Sequence, residues 1–269
     1  MLRRSGTGLL AVCAIASTPA LAQDRHLSFL ACPVAQDMGP DRDFCFFVMH
    51  EGVRYGLSGP PDWGNPQLGH QVLVEAVIAD KAEECGGVPI DGRVSVMPEL
   101  SPECDEIAPF RPALRLSGPA PRRKLSEIER AAIAADPSAS LQIVRLPPVP
   151  EHDVTLGRWE TIYFPFESDR ASGPDALMMV RLAELAGATP GAEVSIRAYR
   201  GATLLDDGRS LVEREGMARQ RGEKVANILR GLGAHDRSIG VEMVETPPEA
   251  DGERDWMSRR VEILVRAGR

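Results

Sequence analysis

Short apolar stretches separated by glycine and proline dominate the first part of the chain. Residues 44–49 and 53–57 flank a three-residue turn that ends in Gly52, which predicts a β-hairpin. Residues 71–79 and 92–97 predict two further strands. Short strands joined by such turns favour a small β-rich domain. A barrel or a sandwich fits this pattern, and an OB-like arrangement is one form of it.

The second part of the chain alternates between strand and helix patterns. Strands are predicted at 161–166, 193–199, 238–245 and 259–266, and helices at 175–187 and 211–232. Ser172 is placed to cap the first helix, and Gly233 follows the second one. The order is β-α-β-α-β-β, which predicts an α+β sandwich with two helices packed on one sheet.

The first 22 residues have the three parts of a secretory signal peptide. Arg3 and Arg4 form a short basic region, residues 9–17 are apolar, and residues 20–22 supply a small-x-small cleavage pattern. The apolar segment is shorter than the about 20 residues that a membrane-spanning helix needs. We therefore expect cleavage of residues 1–22 and a periplasmic protein, with association to the outer membrane or cell wall as a further expectation.

Four cysteines remain once this leader is removed, namely Cys32, Cys45, Cys85 and Cys104. An even number of cysteines in an exported chain favours disulfides over free thiols. Three pairings are open. Cys32–Cys45 and Cys85–Cys104 are favoured, because each closes a short loop inside the β-rich region. A metal site is the alternative, and it would need closer paired spacing than these cysteines have.

Charge and motifs exclude several classes of function. The formal net charge is −8, and losing the two leader arginines lowers it to −10. Such an acidic chain lacks the basic surface that binds nucleic acid. The five histidines are isolated, and the sequence has no HExxH, GxSxG or glycine-rich phosphate loop. We therefore expect that the protein is not an enzyme and has no catalytic residue, cofactor or metal. We also expect no transmembrane segment in the mature chain.

Composition divides the mature chain into two domains. All its cysteines lie before residue 105, and residues 136–153 carry the prolines and polar residues of a linker. The predicted organisation is a signal peptide at 1–22, a small β-rich domain with two disulfides at 23–120, a helix and proline-containing linker at 121–154, and a second domain at 155–269.

Three motifs of the second domain occur together in a known family. YFPFES (163–168) resembles the opening strand of the OmpA-like C-terminal domain, and MARQRGEKVANILRGLGA (217–234) resembles its long helix. SRRVEI (258–263) is similar to its closing strand and is the most specific of the three. The resemblance covers residues 160–267. It identifies the second domain as a divergent member of the OmpA-like, peptidoglycan-associating family.

The resemblance implies non-covalent binding of peptidoglycan at the diaminopimelate of the stem peptide. In the family, an aspartate after the second strand meets the ligand's ammonium group, and an arginine of the long helix grips its carboxylate through a fork of hydrogen bonds. Arg221 occupies the position of the arginine. Arg200 stands where the aspartate is expected, so Asp206 or Asp207 is the candidate replacement.

Two functions stay open at this point. The first is an exported envelope protein that associates with peptidoglycan through Arg221 and a replacement acid. The second is an interaction module that has lost this ligand and binds an envelope protein or another glycan. Arg214 and Ser258 replace two asparagines of the family near the site, and Arg200 with Arg214 would suit an anionic partner.

Overall fold

The computed structural model describes residues 26–38, 44–57, 66–109, 154–234 and 238–268. The predicted signal peptide and the predicted helix and linker up to residue 153 lie outside these ranges. Within them, no helix is both long and apolar enough to cross a membrane.

Among the described residues, the amino-terminal part forms a sheet of seven strands. They are β1 (His26–Ala31), β2 (Val34–Gln36), β3 (Cys45–His50), β4 (Val53–Gly56), β5 (His70–Ile78), β6 (Val88–Leu100) and β7 (Ile107–Ala108). Their order in the sheet is β1-β5-β6-β4-β3-β2-β7. The predicted hairpin is confirmed, since β3 and β4 are antiparallel around Glu51 and Gly52. The OB-like form of this part stays a prediction.

The four cysteines form two disulfides, as predicted, but the favoured pairs are wrong. Cys32 is bonded to Cys104 and Cys45 to Cys85, across 72 and 40 residues of sequence. The prediction favoured short loops, whereas strand pairing brings distant segments together. Strand β4 pairs with β3 and, in parallel, with the start of β6. The turn before β6, which carries Cys85, therefore lies beside β3.

The carboxy-terminal part is a mixed sheet with two helices. Its elements are β8 (Trp159–Tyr163), α1 (Gly173–Ala188), β9 (Glu193–Tyr199), β10 (Ala202–Leu204), β11 (Ser210–Val212), α2 (Met217–Gly231), β12 (Ile239–Val244) and β13 (Arg260–Arg266). The order in the main sheet is β12-β9-β13-β8. Strand β12 runs parallel to β9, and β13 runs antiparallel to both β9 and β8.

Local sequence explains the start of α1 and the core beneath it. Ser172 caps the helix, because its Oγ accepts a hydrogen bond from the backbone N–H of Asp175 at 3.1 Å. The core joins both helices to one face of the sheet. Its fully buried aliphatic and aromatic members include Ile162, Phe164, Leu182, Ile196, Leu229 and Ile263.

The predicted start of the long helix is wrong. Instead of beginning at Leu211, α2 begins at Met217. Residues 210–212 pair with 202–204 as a short antiparallel hairpin, β10–β11. Apolar Leu211 and Val212 fit a helical stripe in the sequence, but their pairing with β10 makes them a strand. This hairpin determines which acid reaches Arg221.

Buried contacts join the two parts of the chain. The guanidinium of Arg259, fully buried before β13, binds the carboxylate of Glu75 on β5, and both contact Thr203. The backbone N–H of Phe166 donates to Ser95 Oγ at 2.9 Å. A small apolar cluster around these contacts combines Leu73 of the amino-terminal part with Phe166 and Leu205 of the carboxy-terminal part.

Candidate functional site

The family arginine is buried inside the carboxy-terminal part. Arg221 lies on the apolar face of α2 and is 0% exposed. Its Nε donates to the carbonyl of Ser168 at 2.9 Å, and its terminal nitrogens donate to the carbonyls of Tyr199 at 3.2 Å and Pro165 at 3.1 Å. The two remaining donors go to Glu213. All five N–H groups of the guanidinium therefore have partners.

Glu213 is the acid that neutralises Arg221. Its two carboxylate oxygens accept from the two terminal nitrogens of Arg221 at 2.5 and 2.7 Å, a bidentate ion pair. The same oxygens accept from the backbone N–H groups of Glu167 at 2.9 Å and Gly201 at 2.8 Å. Both side chains are 0% exposed. A buried ion pair of this kind requires that each charge be paired and hydrogen-bonded, and here both are.

The backbone on either side positions these groups. Strand β11 ends at Val212, which places Glu213 directly at the end of the hairpin. Glu167 follows strand β8 in a left-handed conformation, with a φ of 55°. That turn presents its N–H to Glu213. Its own carboxylate pairs with the guanidinium of Arg214 at 3.2 Å.

Arg200, at the expected position of the family aspartate, serves the same network. Its Nε donates to the carbonyl of Glu213 at 2.5 Å, and it also contacts the carbonyl of Glu245 at 3.4 Å. The Glu245 carboxylate accepts from the N–H groups of Gly216 and Arg219, both at 3.1 Å, and so caps the start of α2. An open cleft of about 560 Å³ lies against Arg200, Arg219 and Glu245.

The structure does not bring the predicted replacement acids to Arg221. Asp206, between β10 and β11, faces the amino-terminal part. Its N–H donates to the carbonyl of Ser28 at 2.7 Å, and its carboxylate accepts from the N–H of Ser28 at 3.1 Å and lies 3.6 Å from His50. Asp207 is exposed, and hydrogen bonds from Arg209 lower the pKa of its carboxyl group.

The remaining predicted positions also have structural partners. Arg214 is paired with Glu167 and contacts Gln220 at 3.1 Å. Ser258 is buried, and its hydroxyl donates to the carbonyl of Asp255 at 2.6 Å. Arg214 is therefore not a free cation for an anionic partner.

Glu213 is the site residue that sequence reasoning missed. The sequence predicts a helix that starts at Leu211 and contains Glu213. In such a helix Glu213, eight residues before Arg221, would lie about two turns away from it. The signal that could have found it is local. Asp207 and Gly208 are turn formers between two short apolar segments, a pattern that predicts a hairpin ending just before Glu213.

No family model matches the sequence, and no curated protein is significantly similar to it. Solved structures do match. The periplasmic domain of Helicobacter pylori MotB is 18% identical, over 43% of this chain and 80% of that one, with a TM-score of 0.32. The peptidoglycan-associated lipoprotein from Burkholderia pseudomallei is 17% identical, over 44% and 99%, with a TM-score of 0.34. The OmpA-like domain of FopA1 from Francisella tularensis is 10% identical, over 40% and 72%, with a TM-score of 0.30.

The carboxy-terminal part has the order of main elements that the resemblance to the OmpA-like domain implies. Its three motifs occur in family order, and the main elements β8, α1, β9, α2, β12 and β13 follow one another as the motifs predicted. The solved structures reported above are similar to parts of this chain only at low identity. Their identities and TM-scores are too low to carry a ligand or a partner over to this chain.

Proposed function

We propose that this chain is an exported, non-enzymatic protein of the cell envelope, whose OmpA-like domain is an interaction module that does not bind the stem peptide at Arg221. The observation that supports it is the bidentate pair between Arg221 and Glu213. The leader-like start, the two disulfides and the family motifs support an envelope location.

Glu213 offers Arg221 the same group that a diaminopimelate carboxylate would offer. A carboxylate held in the same chain competes at a high effective concentration. A ligand would have to displace it and leave the Glu213 charge without Arg221. Removing one partner from a buried ion pair costs about 3–5 kcal/mol. A ligand carboxylate that replaces Glu213 forms the same kind of ion pair with Arg221. Its binding therefore gains little free energy to offset the cost of displacing Glu213.

Peptidoglycan association is the second candidate, because Arg221 stands at the family position and its surroundings already hold a carboxylate. It requires that Glu213 move away from Arg221. Glu213 belongs to the segment between β11 and α2, so a shift of that segment would open the site. The two candidates differ in whether Arg221 is available to a ligand.

A pull-down with insoluble peptidoglycan sacculi separates the candidates. The full chain without residues 1–22 is incubated with sacculi, with and without free diaminopimelate. We expect that the parent chain shows no sacculus binding that free diaminopimelate reduces. The Glu213→Gln variant frees the charge of Arg221, so a folded variant is expected to show more competable binding than the parent chain. Asp207→Asn is the matched control and should behave like the parent. Competable binding by the unmodified chain would overturn the proposal.

A further inference from the structure

A second, larger cleft lies where the two parts of the chain meet. Its volume is about 790 Å³, within the range of small-molecule sites, and such sites occur preferentially between domains. One wall is formed by His26 of β1 and by Asp91 and Arg93 of β6. The other is the turn that precedes β13, with Arg254 and Trp256. The cleft is separate from the surroundings of Arg221.

Trp256 gives this cleft a fixed aromatic wall. The indole is half-buried, with the ring of Tyr163 against it at 5.0 Å and 73° and the guanidinium of Arg93 at 4.8 Å from its centroid. The turn that carries it is held by Asp255, whose carboxylate accepts from the N–H groups of Leu204 at 2.8 Å and Gly252 at 3.0 Å. The wall is therefore pre-organised for a ligand.

Charges of both signs surround the indole. The carboxylate of Glu75, at the base of the cleft, is neutralised by the guanidinium of Arg259. Asp91, Glu253 and Arg254 are exposed at the rim, and the carboxylate of Asp91 is 3.9 Å from the ammonium of Lys81. Arg254 holds a left-handed φ of 56°. Non-glycine residues in this conformation are strained and cluster at binding sites.

The combination of groups selects a class of ligand. A strongly anionic or cationic molecule would meet charges of its own sign, because both acidic and basic side chains line the cleft. A purely apolar molecule would leave those charges desolvated without a partner. A sugar ring has an apolar C–H face that suits an indole, and hydroxyl groups that can donate to carboxylates and accept from a guanidinium.

We propose that this interdomain cleft binds a saccharide, with Trp256 against the sugar ring and Asp91, Glu253 and Arg254 hydrogen-bonded to its hydroxyl groups. This goes beyond the proposed function and does not depend on the state of Arg221. An oligomer of N-acetylated amino sugars and a plain glucose oligomer share the chemistry that the cleft would recognise. Separate titrations distinguish these two sources.

The test is isothermal titration of the chain without residues 1–22 with chitotetraose and, separately, with maltotetraose. We expect saturable binding of at least one of them. Arg254→Gly removes the guanidinium but relieves the left-handed backbone, so it should melt no lower than the parent chain. We expect it to weaken binding at least about tenfold, the effect of losing one or two hydrogen bonds.

Trp256→Leu should abolish binding, and Trp159→Phe is the matched control at a half-exposed tryptophan outside the cleft lining. No saturable heat with either oligosaccharide would overturn the proposal. Equal binding by the folded Arg254→Gly variant and the parent chain would also overturn it. Neither outcome bears on the sacculus experiment, because that experiment is read through competition by diaminopimelate.

Discussion

Arg259 and Glu75 form a buried ion pair that links the two parts of the chain. Arg259 is 0% exposed and the side chain of Glu75 is 6% exposed. Thr203 completes the arrangement, since its hydroxyl donates to Glu75 at 2.9 Å and accepts from Arg259 at 2.8 Å. The carboxy-terminal part is therefore docked against the β-rich part through a specific polar contact, beside the apolar cluster around Phe166.

Removing one partner of this pair should destabilise the whole chain. Glu75→Ala leaves the guanidinium of Arg259 buried without its counter-charge, which costs about 3–5 kcal/mol. Urea denaturation measures the loss in the free energy of unfolding. Glu99→Ala, at an exposed acid of β6, is the control and should change it by less than about 0.5 kcal/mol. Equal stability of the two variants would contradict the interdomain pair.

Gly201 should tolerate no side chain. A Cβ atom there would collide with Cγ of Arg259 and lie 2.6 Å from Oγ of Ser258. We expect Gly201→Ala to lower the melting temperature, because either Arg259 or the backbone must move. Gly231→Ala is the matched control, since nothing lies near its Cβ position at the end of α2. Alanine favours helix over glycine by about 1 kcal/mol, so this control should be at least as stable as the parent chain. A stable Gly201→Ala variant would show that Arg259 lies elsewhere.

The disulfide pairing predicts which thiol appears when one cysteine is lost. Cys45→Ser should leave Cys85 free and keep Cys32 bonded to Cys104. Alkylation of the unreduced, denatured protein, followed by peptide mass spectrometry, identifies the free thiol. Alkylation at Cys32 instead of Cys85 would mean that the pairing with short loops is the real one.

The core of the carboxy-terminal part could be predicted from the sequence, whereas the partner of Arg221 could not. Ser172 as a helix cap and the inward-facing Val194 and Ile196 follow from local rules of capping and strand alternation. Glu213 reaches Arg221 only because residues 202–212 fold back as a hairpin. That pairing overrides a helical apolar pattern, and periodicity alone cannot reveal it.

The same contrast between local patterns and long-range contacts explains why the favoured disulfide pairs are wrong. It also explains why Asp206 and Asp207 do not lie at Arg221. Sequence distance carries little information on which cysteines meet, because a sheet with parallel and antiparallel pairs brings distant segments together. The sequence makes Asp206 a candidate for the site because it follows the expected position of the family aspartate, at Arg200. Its actual partner, Ser28, belongs to the other part of the chain, 178 residues away. Contacts between domains leave no local pattern in a single sequence.

Arg221 should matter for stability. We expect Arg221→Ala to lower the free energy of unfolding by about 3–5 kcal/mol, because Glu213 then remains buried without its counter-charge. Arg221→Lys should rescue little, since an ammonium group cannot form the bidentate pair or reach all the carbonyls that Arg221 contacts. Arg209→Ala, at an exposed arginine, is the control for urea denaturation. A fully stable Arg221→Ala variant would mean that Glu213 is not buried against it.

The central claim is that Glu213 already occupies Arg221, and the side-chain NMR signal of Arg221 tests it most directly. The buried Nε–H group that donates to Ser168 should give a resolved signal, assigned by its loss in Arg221→Lys. We predict that this signal does not move when diaminopimelate is added to the chain without residues 1–22. A saturable shift of the signal, absent when lysine is added instead, would show that the ligand displaces Glu213 and would contradict the claim.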